Sequence, residues 1–72
     1  ASVADAKVAL EKGHVTKAIA HAESAVLADP RNAQSRALLG AAYLEAGRFQ
    51  AAATSFSDAM ALGDSDPRTV LS

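Results

Sequence analysis

Leu39-Gly40-Ala41-Ala42-Tyr43-Leu44-Glu45-Ala46-Gly47 is the stretch that decides how this 72-residue chain is read. Its last four residues are a phrase that the chain writes twice. Leu10-Glu11-Lys12-Gly13 returns 34 residues later as Leu44-Glu45-Ala46-Gly47, Ala18 returns as Ala52, and Ala25 as Ala59. Self-similarity at a fixed period of a few tens of residues marks a protein built by stacking one structural unit. Such units build surfaces, so the functional question moves from which reaction to which partner.

Working outward, each copy divides into two helices. The first runs roughly from Ser2 to Lys12, and Gly13 ends it by allowing the left-handed turn at a helix C-terminus. The second runs roughly from Thr16 to Ala28, with Ala18, Ala22, Ala25 and Val26 at helical spacing. Asp29-Pro30 stops it, because the residue before proline is pushed out of the α region. Asn32 is the expected N-cap of a third helix reaching about Ala46. Gly47 ends that helix as Gly13 ended the first. A fourth, roughly Phe49 to Leu62, carries Ala52, Phe56, Ala59 and Met60 as its apolar stripe, and Gly63 is its expected stop. Asp66-Pro67 then opens a further helix, with Asp66 as cap and Pro67 at the first helical position. Loops this short make consecutive helices antiparallel neighbours. The expected fold is all-α: stacked antiparallel helical hairpins, four helices plus a short fifth. Repeat one covers about 1–32, repeat two about 33–66, and the start of a third covers 67–72.

Composition supports this. Half the residues are apolar, yet only Tyr43, Phe49 and Phe56 are aromatic and nineteen are alanine. Alanine is the best helix former and lets helix backbones approach closely. With no cysteine there is neither a disulfide framework nor a thiolate metal site. Seven basic and eight acidic residues are scattered along the chain, which argues against nucleic acid or an anionic membrane as partner. No apolar run approaches the roughly 18 residues that span a bilayer. The chain lacks an initiator Met and stops abruptly, as an excised fragment would, so the absence of a targeting signal assigns no compartment.

The second copy resembles the tetratricopeptide repeat. The residues that carry the resemblance are Leu39-Gly40, Tyr43, Gly47, Phe49, Ala52, Phe56 and Ala59, with the spacings Leu-Gly-x-x-Tyr and Ala-x-x-x-Phe both matched. Arg36 stands where tryptophan is usual and Asp64 where proline is usual. The first copy fits in its second half, through Gly13, Ala18, Ala25 and Pro30. In its first half Asp5, Ala6 and Ala9 replace the usual Leu, Gly and Tyr, as in an atypical terminal repeat with one face to solvent. On this reading Ala52 and Ala59 lie where the two helices of a hairpin cross. Gly40 permits close approach, and Tyr43, Phe49 and Phe56 fill the wedge that remains. These three, with Leu38, Leu39, Leu44 and Leu62, supply most of the hydrophobic drive.

The resemblance implies a protein–protein interaction module whose first helices line a concave, partner-binding face. Carried over by position, that face presents Val3, Lys7, Leu10 and Glu11 from repeat one, and Gln34, Ala37, Leu38, Ala41, Leu44 and Glu45 from repeat two. Leu10 and Leu44 are read as inter-repeat core in preference to groove floor. The Lys/Asn/Arg clamp that some family members close on a peptide carboxylate is not present. An alanine-floored groove rimmed by Glu11 and Glu45 suits an apolar helix or extended peptide with a basic residue. The alternative is a structural spacer or self-association element, a homodimer formed through the exposed face of the fourth helix.

No catalytic or cofactor site is expected. His14 and His21 are seven residues apart, whereas two histidines that share a metal ion on one helix usually sit four apart. Ser55, Ser57 and Asp58 have no histidine near them to act as base and are read as solvated residues on the outer face of a helix.

Overall fold

A computed structural model describes residues 3–64 of the chain. It contains four helices: α1 (Val3–Glu11), α2 (Val15–Ala28), α3 (Ala33–Glu45) and α4 (Phe49–Asp64). The expected fifth helix, its Asp66 cap, the start of a third repeat and Ser2 lie outside the described residues. Each helix packs on the next in sequence, and α1 also lies against α3. The result is two antiparallel hairpins, stacked with their first helices side by side, with overall dimensions of 39 × 23 × 19 Å.

The turns inside the hairpins are built the same way. Gly13 and Gly47 have φ of 79° and 80°, a region where a Cβ would crowd the backbone. After α1, the Gly13 N–H donates to the Leu10 carbonyl at 3.0 Å and the His14 N–H to the Ala9 carbonyl at 2.8 Å. After α3, Gly47 N–H meets Leu44 O at 3.1 Å and Arg48 N–H meets Tyr43 O at 2.9 Å. These paired bonds satisfy carbonyls that the helix end leaves without partners. Gly63 behaves differently from expectation. It is absent from the left-handed region, and α4 runs through it to Asp64. The turn between hairpins is set from the other side, where the Asn32 Oδ1 accepts the Ser35 N–H at 3.2 Å and caps α3.

The core is made of small residues. Ala6, Ala18, Ala22 and Ala42 are fully buried and Ala52 nearly so. Ala9, Ala18 and Ala42 bring α1, α2 and α3 together, with Leu10 and Ile19 packed around them. Between α3 and α4 the contact is closer still. A Cβ built on Gly40 would stand 2.9 Å from Cδ1 and Cε1 of the Phe56 ring.

Three expectations are corrected here. Phe49 is 67% exposed and does not fill the wedge. It is the first residue of α4, and helical side chains lean toward the N-terminus, so its ring points off the end of the helix rather than onto α3. Leu44 is 50% exposed and is not inter-repeat core, whereas Leu10 packs against the buried alanines. Ser55 is not a solvated outer-face residue: only 7% of it is exposed, on the side of α4 that meets α3. Ser35 is likewise buried and is the largest side chain withdrawn completely from solvent. None of the large apolar side chains among the described residues is fully buried. Each therefore contributes less than the roughly 1.5–3 kcal/mol of full burial.

Candidate partner-binding surface

The ten residues expected on the concave face belong to α1 and α3, which the fold places side by side. On α3, Gln34, Ala37, Leu38, Ala41, Leu44 and Glu45 follow one another at spacings of three, one, three, three and one, a single face of a helix. The buried residues of α3, namely Ser35, Gly40 and Ala42, belong to its other sides. Exposure grades along this face. Gln34 at the start and Leu44 and Glu45 at the end are open to solvent, and Ala37, Leu38 and Ala41 between them are half-buried. On α1, Lys7 and Glu11 are exposed and Val3 and Leu10 are half-buried, Leu10 through its contact with the core. The surface thus has an apolar floor of short side chains, with one carboxylate at the C-terminal end of each helix. Neither helix carries a basic residue in its last turn to neutralise that carboxylate.

A recess of about 470 Å³ opens beside this face, lined by Ala33, Gln34, Ala37, Phe56, Ala59 and Met60. Gln34 and Ala37 belong to the expected set. Phe56, Ala59 and Met60 come from α4 and were read from the sequence as part of its apolar stripe. Met60 is 66% exposed, so part of that stripe is uncovered among the described residues.

Among the described residues, three side-chain polar contacts, two of them from Arg36, tie the elements together. The Arg36 Nε donates to the Pro30 carbonyl at 2.8 Å, and its Nη1 lies 3.4 Å from the Asp58 Oδ2. One guanidinium therefore ties the turn between hairpins to α4. On the neighbouring edge the Tyr43 hydroxyl donates to the Glu23 Oε2 at 2.8 Å, joining α3 to α2. That hydrogen bond, then burial and the nearby Glu23 charge, raises the Tyr43 pKa above its ordinary value, against a smaller opposing pull from Arg48. Sequence reasoning missed all three contacts. Arg36 gave a signal, as the residue standing where tryptophan is usual. Among the described residues no group of three His, Cys, Asp or Glu side chains is placed to hold a metal ion, and no helix is long and apolar enough to cross a membrane.

The family model described as tetratricopeptide repeat matches residues 3–67. The chain belongs to the tetratricopeptide repeat family. No curated protein and no solved structure matches it. Tetratricopeptide repeats are in general protein–protein interaction modules and are typically non-catalytic. The paired helical hairpins of this chain are a fragment of such a solenoid.

Proposed function

We propose that the α1–α3 face binds an apolar helix or extended peptide that carries a basic residue. The observation that supports this most directly is Leu44. It is a large apolar side chain, half-exposed, at the end of a floor of Ala37, Leu38 and Ala41 and next to the exposed Glu45. A floor of short side chains admits a partner's larger ones. Glu11 and Glu45, exposed at the corresponding ends of α1 and α3, attract a lysine or arginine at the rim and fix the direction of the bound segment. Lys7, one turn back on α1, disfavours a second positive charge there.

The test is a cross-linking pull-down that compares the chain with its Glu11→Lys/Glu45→Lys variant. A partner captured by the first and lost by the second supports the groove. Both substitutions are at exposed positions, so the variant keeps its fold, which circular dichroism checks. Equal capture by both, or capture of nothing, favours the spacer reading, in which no groove residue matters.

A further inference from the structure

Helix α3 has a second open side. Arg36, Leu39 and Tyr43 follow one another at spacings of three and four, one face of a helix. At about 3.6 residues per turn, that face is opposite the one carrying Gln34, Ala37, Leu38 and Ala41. Tyr43 reaches α2 through Glu23, and Arg36 reaches α4 through Asp58. The helices α2 and α4 each pack on α3, yet among the described residues they do not touch one another. A furrow floored by α3 is left between them.

Two recesses lie along it. The first, of about 270 Å³, is lined by Glu23, Val26, Leu27 and Leu39. Leu27 is 82% exposed, more than any other large apolar side chain among the described residues. The Tyr43 hydroxyl donates to the Glu23 Oε2. This fixes the carboxylate at the rim and leaves Oε1 open to a cation. The second recess, of about 460 Å³, is lined by Pro30, Arg31, Arg36, Asp58, Ala61 and Leu62. Asp58 is engaged by Arg36. Arg31 is exposed and has no ion pair among the described residues. One recess therefore offers a carboxylate beside apolar side chains, and the other offers a guanidinium.

The spacing of the two ends sets the shape of what fits. From Tyr43, which holds Glu23, to Arg36 is seven residues, about 10 Å along α3. In an extended chain, alternate side chains share a face at about 3.3 Å per residue. The first, third and fifth residues of such a segment span about 13 Å on one face. We propose that the furrow behind α3 is a second docking site, for an extended segment with a basic, an apolar and an acidic residue at alternate positions. The aliphatic stem of the basic residue lies on Val26 and Leu27 with its charge on Glu23. The apolar residue meets Leu39, and the acidic one meets Arg31.

The probe is the blocked peptide acetyl-Lys-Ser-Leu-Ser-Glu-amide, titrated into the isotope-labelled full chain and followed by NMR. A contact of this size gives a Kd of about 1 mM. Amide shifts are expected at Glu23, Leu27, Arg31 and Leu39, and none at Ala37 or Ala41. Arg31→Glu, at an exposed turn position, should weaken this peptide by about two- to fivefold. The same variant should bind acetyl-Lys-Ser-Leu-Ser-Lys-amide the more tightly of the two, reversing the order of the parent. Leu27→Ser should weaken both peptides. Glu11→Lys/Glu45→Lys, on the α1–α3 face, should leave both affinities unchanged, which separates this site from the groove. The proposal is overturned if about 10 mM peptide gives no shift, if the shifts fall on the α1–α3 face, or if Arg31→Glu leaves the order of the two peptides unchanged. It is also overturned if the furrow signals move with protein concentration in the absence of peptide, because a second copy then occupies the site.

Discussion

Replacing Gly40 with alanine sets two effects of similar size against each other. In a helix interior alanine is favoured over glycine by about 0.8–1.0 kcal/mol. At Gly40 the new methyl would lie 2.9 Å from two carbons of the Phe56 ring and 3.1 Å from its Cγ. Contact that close at Cγ, near the root of the side chain, is not relieved by swinging the ring tip aside. The ring or the whole of α4 has to move. Overpacking of this kind costs typically 1–3 kcal/mol, so the balance is a loss of about 0–2 kcal/mol. At the centre of that range the melting temperature falls by about 4–8 °C, the shift for each kcal/mol in a domain of this size. The assay is urea unfolding followed by circular dichroism, with Gly63→Ala as control. Gly63 is helical, and a Cβ there meets nothing within 4 Å, so that variant keeps the propensity gain and is more stable than the parent. Repeating Gly40→Ala in a Phe56→Leu background should remove most of the cost. If Gly40→Ala is as stabilising as Gly63→Ala, or if its cost is unchanged without the ring, the close α3–α4 contact is not what this glycine serves.

Two other outcomes follow from single contacts. Asn32→Ala removes the side-chain cap of α3 and should cost about 1 kcal/mol, read as a lower urea midpoint with an unchanged slope. Tyr43→Phe should cost up to about 1 kcal/mol at neutral pH, because its hydrogen bond to Glu23 is exposed. The same contact gives a pH signature. The Tyr43 pKa is higher folded than unfolded, so its contribution is complete below the unfolded value of about 10 and is lost as pH rises through the folded value. The parent should therefore show an alkaline decline in stability that Tyr43→Phe lacks.

What was legible in the sequence was whatever a residue does to its own backbone. Gly13 and Gly47 end helices in the left-handed region and Asn32 caps α3, each as expected, because caps and turns are local. The 34-residue period extended this to topology, since two copies of one hairpin pack as neighbours. Ala18 and Ala52 were legible through their recurrence in both copies, and the close approach at Gly40 through the family resemblance; Ala6 and Ala9, read as small residues of a helix with one face to solvent, are instead buried. What failed depended on which neighbour a helix face meets. Ser55 was read as a solvated outer-face residue by its polarity, yet it is buried on the side of α4 that meets α3. Phe49 looks like core by polarity and is carried off the end of α4 by the lean of its side chain. Leu44 was read as inter-repeat core in preference to groove floor. It is exposed while its counterpart Leu10 is packed, so identical residues in the two copies meet different surroundings. The Arg36–Asp58 and Glu23–Tyr43 contacts join residues about twenty positions apart, and nothing local marks them.

The alanine core fixes the direction in which this chain can drift. A core of leucines loses much when a side chain is trimmed and leaves a void. At Ala6, Ala18, Ala22, Ala42 and Ala52, all buried, there is one methyl to lose, and a larger side chain has to displace its neighbours. These positions act as ceilings on side-chain size. Substitutions to serine or glycine there are mild steps, and substitutions to valine or leucine are severe ones, the reverse of the usual ordering for buried sites. The permitted variation at these positions is therefore confined to a few small residues. Larger changes are left to the half-open leucines and phenylalanines around them.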